Sequence, residues 1–357
     1  MGGSMMSQAV VAGLVLVTAL GAPGEVHAKP RSPTVLLMAV PDTGGYPNAA
    51  AIFARSVEHL SKGTLLIAVR FPSQQRADGE TIVIRDVEQG TVPMGWIPTR
   101  AWDAEALPTF AALQAPFLIT NYALFQKVLE GAVGGGMLAG TRASGVRTLG
   151  LAAVDLHVPL GAQRPLVGPA DFRGATVRVP SNSALTAAIL EALGGKATSI
   201  PSGPDLFAAL KSGRVDGAVS SLPYVLSNGY YAAAKYLTAN LVFFPYVGSV
   251  GINEGAFEAL TTRERSILAR AATEMTRGSF VGIRGRDQQL LRTLCHAGLK
   301  IAISTAEQFA ALRRAEQPVY ASLETNRATS ARIRKIQALK KKTKATPPLR
   351  IPVGCAA

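Results

Sequence analysis

Thr34-Val35-Leu36-Leu37-Met38-Ala39-Val40-Pro41 is the stretch on which the fold turns. It is a continuous uncharged run, the pattern of a strand buried on both faces, and the proline ends it. Working outward, residues 47–61 carry Ile52, Val57, Leu60 and Ala49-Ala50-Ala51 at helical spacing, with Gly63 where a helix should stop. Residues 64–71 predict a second buried strand. Residues 79–88 predict a helix with Ile82, Val83 and Val87 on one face and Gly90 behind it, and 92–97 predict a third strand. Strand, helix, strand, helix, strand in that order builds a parallel sheet covered by helices.

The middle of the chain repeats this order. Residues 175–179 predict a strand, and 183–193 a helix with Leu185, Ile189, Ala192 and Leu193 inward and Gly194 after it. Residues 205–211 predict a short helix closed by Gly213, and 215–220 the next strand. Residues 242–252 return as an extended apolar segment, and 262–294 read as one long, mostly helical stretch interrupted by Gly278, Gly282 and Gly285. Two α/β units joined by more than one crossing segment enclose a cleft. Ligands of open α/β sheets sit outside the carboxyl ends of the strands, so the search for a site goes to strand ends.

The first 28 of the 357 residues read as a secretion leader. The apolar run 9–22 is too short for the roughly 20 residues that span a bilayer. Val26-His27-Ala28 offers small residues at both ends of a cleavage site, although no Lys or Arg precedes the run. Export, with cleavage after Ala28, is the expectation. Cys295 and Cys355 could pair in an oxidising compartment or stay free, and spacing does not choose. The net charge of +14 is uneven: nine basic residues and no acidic one fall between 327 and 350, leaving about +5 elsewhere. Residues 325–357 are therefore expected to form a solvated, disordered basic tail. Without interleaved aromatics it does not suggest nucleic acid, and weak contact with an anionic membrane surface is its better partner.

Catalytic motifs are missing. There is no Gly-x-Ser-x-Gly elbow, no His-Glu-x-x-His, no P-loop and no Gly-x-Gly-x-x-Gly after a strand. The histidines at 27, 59, 157 and 296 lack ligand spacing, so no metal and no other cofactor is expected. The sequence reads as a binding protein and not as an enzyme. In Thr176-Val177-Arg178-Val179-Pro180 the valines share one face and Arg178 takes the other. Pro180 ends the strand at once, which sets the guanidinium at the carboxyl end, where a planar fork can grip a carboxylate. From spacing alone it could equally be a surface arginine on an edge strand.

Several stretches, in order, resemble the solute-binding subunit of tripartite ATP-independent periplasmic (TRAP) transporters, the C4-dicarboxylate-receptor type. Asp171-Phe172-Arg173-Gly174-Ala175-Thr176-Val177-Arg178-Val179-Pro180 resembles that family's D-L-K-G-x-K-[IV]-R-V-P. Leu206-Phe207-Ala208-Ala209-Leu210-Lys211-Ser212-Gly213-Arg214-Val215-Asp216-Gly217 resembles E-[VL]-Y-x-A-L-Q-x-G-x-V-D-G without its glutamate, which becomes Asp205. Leu113-Gln114-Ala115-Pro116-Phe117-Leu118 is similar to the L-P-F-L segment, and the likeness runs over roughly 35–323.

The resemblance implies an α/β, two-lobed periplasmic-binding-protein-like fold with a ligand cleft between lobes, linking strands and a long helix contacting both. The expected division is 33–154 plus 242–282 for lobe I and 155–241 plus 283–324 for lobe II. It further implies that Arg178 holds the carboxylate of a small organic-acid ligand, that membrane subunits of a TRAP-type transporter are the partners, and that the protein is a monomer. The alternatives are a binding subunit of another transporter or sensor system, or an enzyme acting on a carboxylate.

The departures from the pattern supply the other candidates. His157 stands where the family often carries another arginine, and its charge would vary near neutral pH. The family's tyrosine becomes Phe207, and its D-G-x-x-N ends on Ser220, which could still donate one bond. Fewer polar donors suggest a ligand less polar than a dicarboxylate. Trp96, Trp102 and Tyr224 are candidate cleft walls or ordinary core aromatics, and Glu80, at the start of the 79–88 helix, completes the candidate set.

Overall fold

A computed structural model describes residues 32–41, 48–71, 78–180, 183–344 and 347–357; the expected leader at 1–28 lies outside them. Ten strands form one curled sheet: β1 Thr34–Ala39, β2 Leu65–Arg70, β3 Met94–Pro98, β4 Val146–Gly161, β5 Thr176–Val179, β6 Lys196–Ser199, β7 Gly217–Ser220, β8 Tyr236–Thr238, β9 Phe244–Asn253 and β10 Lys300–Ala302. Their order is β2-β1-β3-β9-β4-β7-β5-β6, with β8 on β4 and β10 on β8.

One strand joins two halves. Along β4, Val146 to His157 pair antiparallel with β9, and Val158 to Gly161 pair with β7. The exchange of partners falls between His157, opposite Phe244, and Val158, opposite Ser220. The first half-sheet carries the helices Asn48–Ser61 and Thr262–Gly278 on one face, around Phe53, Val57, Trp96, Leu268 and Met275. On its other face lie the helices Gly79–Glu88 and Tyr122–Glu130, around Val83, Val87, Phe110 and Phe125. The second half-sheet has its own clusters, one around Val177, Phe172 and Leu190, the other around Leu206, Leu210 and Val225.

The first two strands are less buried than their apolar runs suggest. β2 is the edge of the sheet and mostly half-exposed, and Val35 of β1 is exposed. The helix Gly79–Glu88 turns Glu80, Val83, Ile84 and Val87 inward, leaving Ile82 half-buried. The long helical stretch divides into Thr262–Gly278 and Ile283–His296, broken where Gly282 takes a φ of +70°. The first piece packs on the first half-sheet through Leu268, Ala271 and Met275, and the second on the other half through Leu291 and Leu294.

The C-terminal region corrects the expectation of a disordered tail. Arg327–Lys342 is a helix, capped by the Asn326 side chain accepting from the Thr329 N–H at 3.0 Å. Ile333 and Ile336 are fully buried in the same cluster as Phe110 and Phe125. Burial of such a side chain is worth about 1.5–3 kcal/mol, and two of them three residues apart are enough to seat the helix. The charges do not prevent this because Arg327, Arg334, Lys335, Lys341 and Lys342 all stay on the exposed side. Beyond it, Cys355 forms a disulfide with Cys295, Cα–Cα 5.7 Å, and Ala356 bridges to Ile301 beside β10.

Candidate ligand-binding site

β5 presents its residues as alternation requires. Val177 and Val179 enter one apolar cluster, while Arg178, only 5% exposed, points from the opposite face. Its Nε donates to the Ile200 carbonyl at 2.7 Å, and its Nη2 donates to Ser202 Oγ at 2.9 Å. Both partners lie in the segment after β6, beside Gly203, whose N–H donates to the Tyr230 hydroxyl at 2.6 Å. The guanidinium is thus aimed by one backbone carbonyl and one side-chain hydroxyl, both neutral acceptors. Burial lowers its pKa to about 10, with repulsion from Arg100 in the same direction and Tyr230, Glu80 and Tyr224 opposing.

His157 lies at the crossover of β4, 8% exposed, its ring 5.5 Å from Phe244 and 5.4 Å from Tyr246. Burial, then repulsion from Arg100 and Arg178, push its pKa down to about 3. The expected change of charge near neutral pH is therefore corrected: the imidazole is neutral there. Its Nε2 stands 3.4 Å from Asp155 Oδ1, and its Nδ1 has no partner among the described residues. Asp155 is fully buried and accepts from Ser221 Oγ at 2.6 Å. Burial raises its carboxyl to about 7.

A second buried charge pair lies on the first half-sheet. Arg100 follows the carboxyl end of β3, and its Nη2 donates to Glu80 Oε1 at 2.5 Å. Both side chains are only 10% exposed. Tyr224, on the helix Leu222–Ser227, sets its ring 6.2 Å from that of Tyr246 on β9. Burial raises the Tyr246 phenol, and the groups acting on it next are Tyr224, Glu80, Arg100 and Asp155. One electrostatic cluster therefore gathers Arg178, His157, Glu80 and Tyr224 with Arg100, Asp155, Tyr230 and Tyr246.

Four of the seven candidates meet in this cluster. Ser220 is buried beside it at the end of β7, yet it is the next residue, Ser221, that bonds the buried Asp155. Phe207 is half-buried on the helix Pro204–Ser212 against lobe II's apolar cluster. Trp96 is 1% exposed inside the lobe I core, its ring against Gly248, where a Cβ would lie 2.0 Å from the indole. Trp102 is likewise fully buried core. Arg100, Tyr246 and Asp155 were missed. Arg100 carried a readable signal, since Ile97-Pro98-Thr99-Arg100 closes a strand with proline just as Val179-Pro180 does. Among the described residues no group of three or more His, Cys, Asp or Glu could hold a metal ion, and no helix is long and apolar enough to cross a membrane.

The family model for bacterial extracellular solute-binding protein, family 7 (DctP), matches residues 38–326. The uncharacterized protein y4mM of Sinorhizobium fredii is 29% identical over 210 residues, 58% of this chain, but the match spans only 38% of that relative's length. The C4-dicarboxylate-binding periplasmic protein DctP of Rhodobacter capsulatus is 26% identical over 322 residues, covering 88% of this chain and 94% of the relative. The crystal structure of a TRAP periplasmic solute-binding protein from Roseobacter denitrificans, with bound β-D-glucuronate, superposes with a TM-score of 0.74 at 23% identity. It covers 87% of this chain and 100% of its own, a likeness of fold. The fold is thus that of two-lobed binding proteins.

Proposed function

The chain belongs to the bacterial extracellular solute-binding proteins of family 7, and from that premise we propose that it captures a small organic-acid anion outside the cytoplasm for the membrane subunits of a TRAP-type transporter. The observation that carries this reading is Arg178. A guanidinium taken out of water and bonded, among the described residues, to a carbonyl and a hydroxyl is an incomplete site, because no described carboxylate is bonded to it. The carboxylate of a ligand completes it with charge-assisted hydrogen bonds.

Capture proceeds by closure of the lobes on the anion. Arg178 and Tyr224 belong to the β5–β7 half, Glu80, Arg100 and Tyr246 to the β1–β3 half, and His157 to the strand joining them. A ligand held by Arg178 against the other wall binds the closed form better than the open one, and only that difference can drive closure. The bend at 279–282 between two helices seated on different halves supports a hinge there. Export follows the leader at 1–28, and the exposed cations of the helix Arg327–Lys342 add a weak attraction to an anionic membrane surface.

The test begins with a thermal-shift screen of organic acids, sugar acids and C4-dicarboxylates included, followed by titration calorimetry on the hits. Arg178→Ala should weaken binding about a hundredfold or more, because hydrogen bonds to charged groups are worth roughly 1.5–3 kcal/mol each. Arg178→Lys should recover only part of the loss, since an ammonium keeps the charge without the planar fork. A folded Arg178→Ala protein that binds as tightly as its parent would sink the reading.

A further inference from the structure

We infer that this cleft takes a hydroxylated acid with a single carboxylate and turns away the corresponding dicarboxylate, because Glu80 already occupies the second arginine; this rests on the reading of Arg178 above. Arg100 follows the carboxyl end of β3 and Arg178 lies near that of β5, and both depress the pKa of the buried His157, where β4 passes from one half-sheet to the other. By number alone they suit two carboxylates. Their surroundings differ, however. Arg100 Nη2 lies 2.5 Å from Glu80 Oε1 with both side chains buried, whereas among the described residues Arg178 bonds the Ile200 carbonyl and the Ser202 hydroxyl and no carboxylate.

The remaining titratable groups do not alter the account. His157 is uncharged at neutral pH. Asp155 lies beyond it, bonded to Ser221, and ionising that carboxyl would only make the site less positive. The phenols of Tyr230 and Tyr246, both raised by burial, carry no charge at neutral pH. Among the described cluster residues, one positive charge, that of Arg178, is left without a carboxylate. A first ligand carboxylate matches it. A second would be stripped of water beside Glu80 with no cation to receive it, and an unpaired buried charge is strongly disfavoured.

The polar atoms that remain suit hydroxyl groups. His157 Nδ1 is buried and without a partner among the described residues, and as one nitrogen of a neutral imidazole it can exchange a hydrogen bond with a ligand hydroxyl in either tautomer. The rings of Phe244 and Tyr246 lie against it, and Tyr224 packs on Tyr246 in turn, so aromatic faces shield it from water.

The experiment uses acid pairs that differ by oxidation of one chain end: D-glucuronate with D-glucarate, D-galacturonate with galactarate, and D-glycerate with tartronate. Calorimetry on the wild-type protein should show the monocarboxylate of at least one pair bound tenfold or more tighter than its dicarboxylate twin. Glu80→Gln keeps the size of the side chain and removes the carboxylate bonded to Arg100, so the dicarboxylate should gain at least tenfold relative to the monocarboxylate. Adding Arg100→Gln to Glu80→Gln should cancel that gain, because the arginine that would receive the second carboxylate is then gone. Circular dichroism establishes that each variant is folded; if Glu80→Gln alone does not fold, the wild-type ratios and the double variant decide.

A wild-type preference for the dicarboxylate overturns the inference while leaving the role of Arg178 intact. So does a Glu80→Gln protein that is folded and keeps the wild-type ratio. Binding of neither member of any pair overturns this inference, and loss of the Arg178 reading itself is recognised separately, by Arg178→Ala binding a screened acid as the parent does.

Discussion

Lys340 Nζ donates to the Phe117 carbonyl at 2.7 Å, reaching from the C-terminal helix to a residue held at a φ of +60°. The same ammonium bonds the Leu118 carbonyl at 2.8 Å. Phe117 in turn donates its N–H to the Phe243 carbonyl at 2.7 Å and stacks on that ring at 5.1 Å. A non-glycine residue in the left-handed region persists only where its surroundings impose it. Here they are a lysine on one side and an aromatic pair on the other. Burial lowers the Lys340 pKa to about 8, Arg313 adding to the effect. The basic C-terminus thus steadies the turn that carries Phe117 into the apolar cluster of Phe172, Val177 and Leu190.

Removal of this packing should be costly. Ile336→Ala leaves a cavity beside Phe110 and Phe125, and buried isoleucine-to-alanine changes cost about 2–5 kcal/mol. Urea unfolding should report that loss, and deletion of residues 327–357 should lower the thermal midpoint further. A truncated protein with the parent's midpoint would return the helix to the status of a tail.

Glu316 predicts a pH dependence of stability. It is 0% exposed, neither carboxyl oxygen has a hydrogen-bond partner among the described residues, and burial raises its pKa from 4.5 to about 8. Between those values the folded state binds more protons than the unfolded one, so stability declines as pH rises through the window. Glu316→Gln removes the titration. The variant should exceed its parent in stability at pH 8 by a few kcal/mol at most, at about 1.4 kcal/mol per pKa unit, and approach it near pH 4.5. Chemical unfolding at the two pH values measures this, and a parent-like pH slope in the variant would contradict it.

His157 should remain neutral far below its usual range. The nitrogen shifts of its imidazole, followed by NMR, should stay constant from pH 8 to pH 5, since burial and two arginines hold its pKa near 3. A titration midpoint near 6.5 would show that water reaches the ring. His157→Gln, which keeps an uncharged polar group, should cost less affinity than Arg178→Ala.

The site was legible wherever one strand carried the whole argument. Two valines flanking an arginine, with a proline behind, locate Arg178 on the free face of a strand end without any tertiary information. The pairing of Arg100 with Glu80 joins a post-strand turn to the first turn of a helix 20 residues earlier. No local pattern marks such a pair. Trp96 fails in the opposite sense, for an aromatic near a strand end reads as a cleft wall until Gly248 and the flanking helices are seen to enclose it.

Periodicity, glycine stops and proline breaks were enough for the sequence to determine the alternating strands and helices, the two α/β units and the direction of Arg178, because each depends on neighbours within a few residues. The order of the strands, the passage of β4 from one half-sheet to the other at His157, and the seating of Ile333 and Ile336 depend on contacts between distant segments. So do the charge of His157 and the occupation of Arg100, since burial and a facing charge are properties of a place and not of a residue. In the C-terminal helix, seven basic residues outweighed two isoleucines in composition, but the isoleucines were on the side that met the core. Only the tertiary structure decides which face that is.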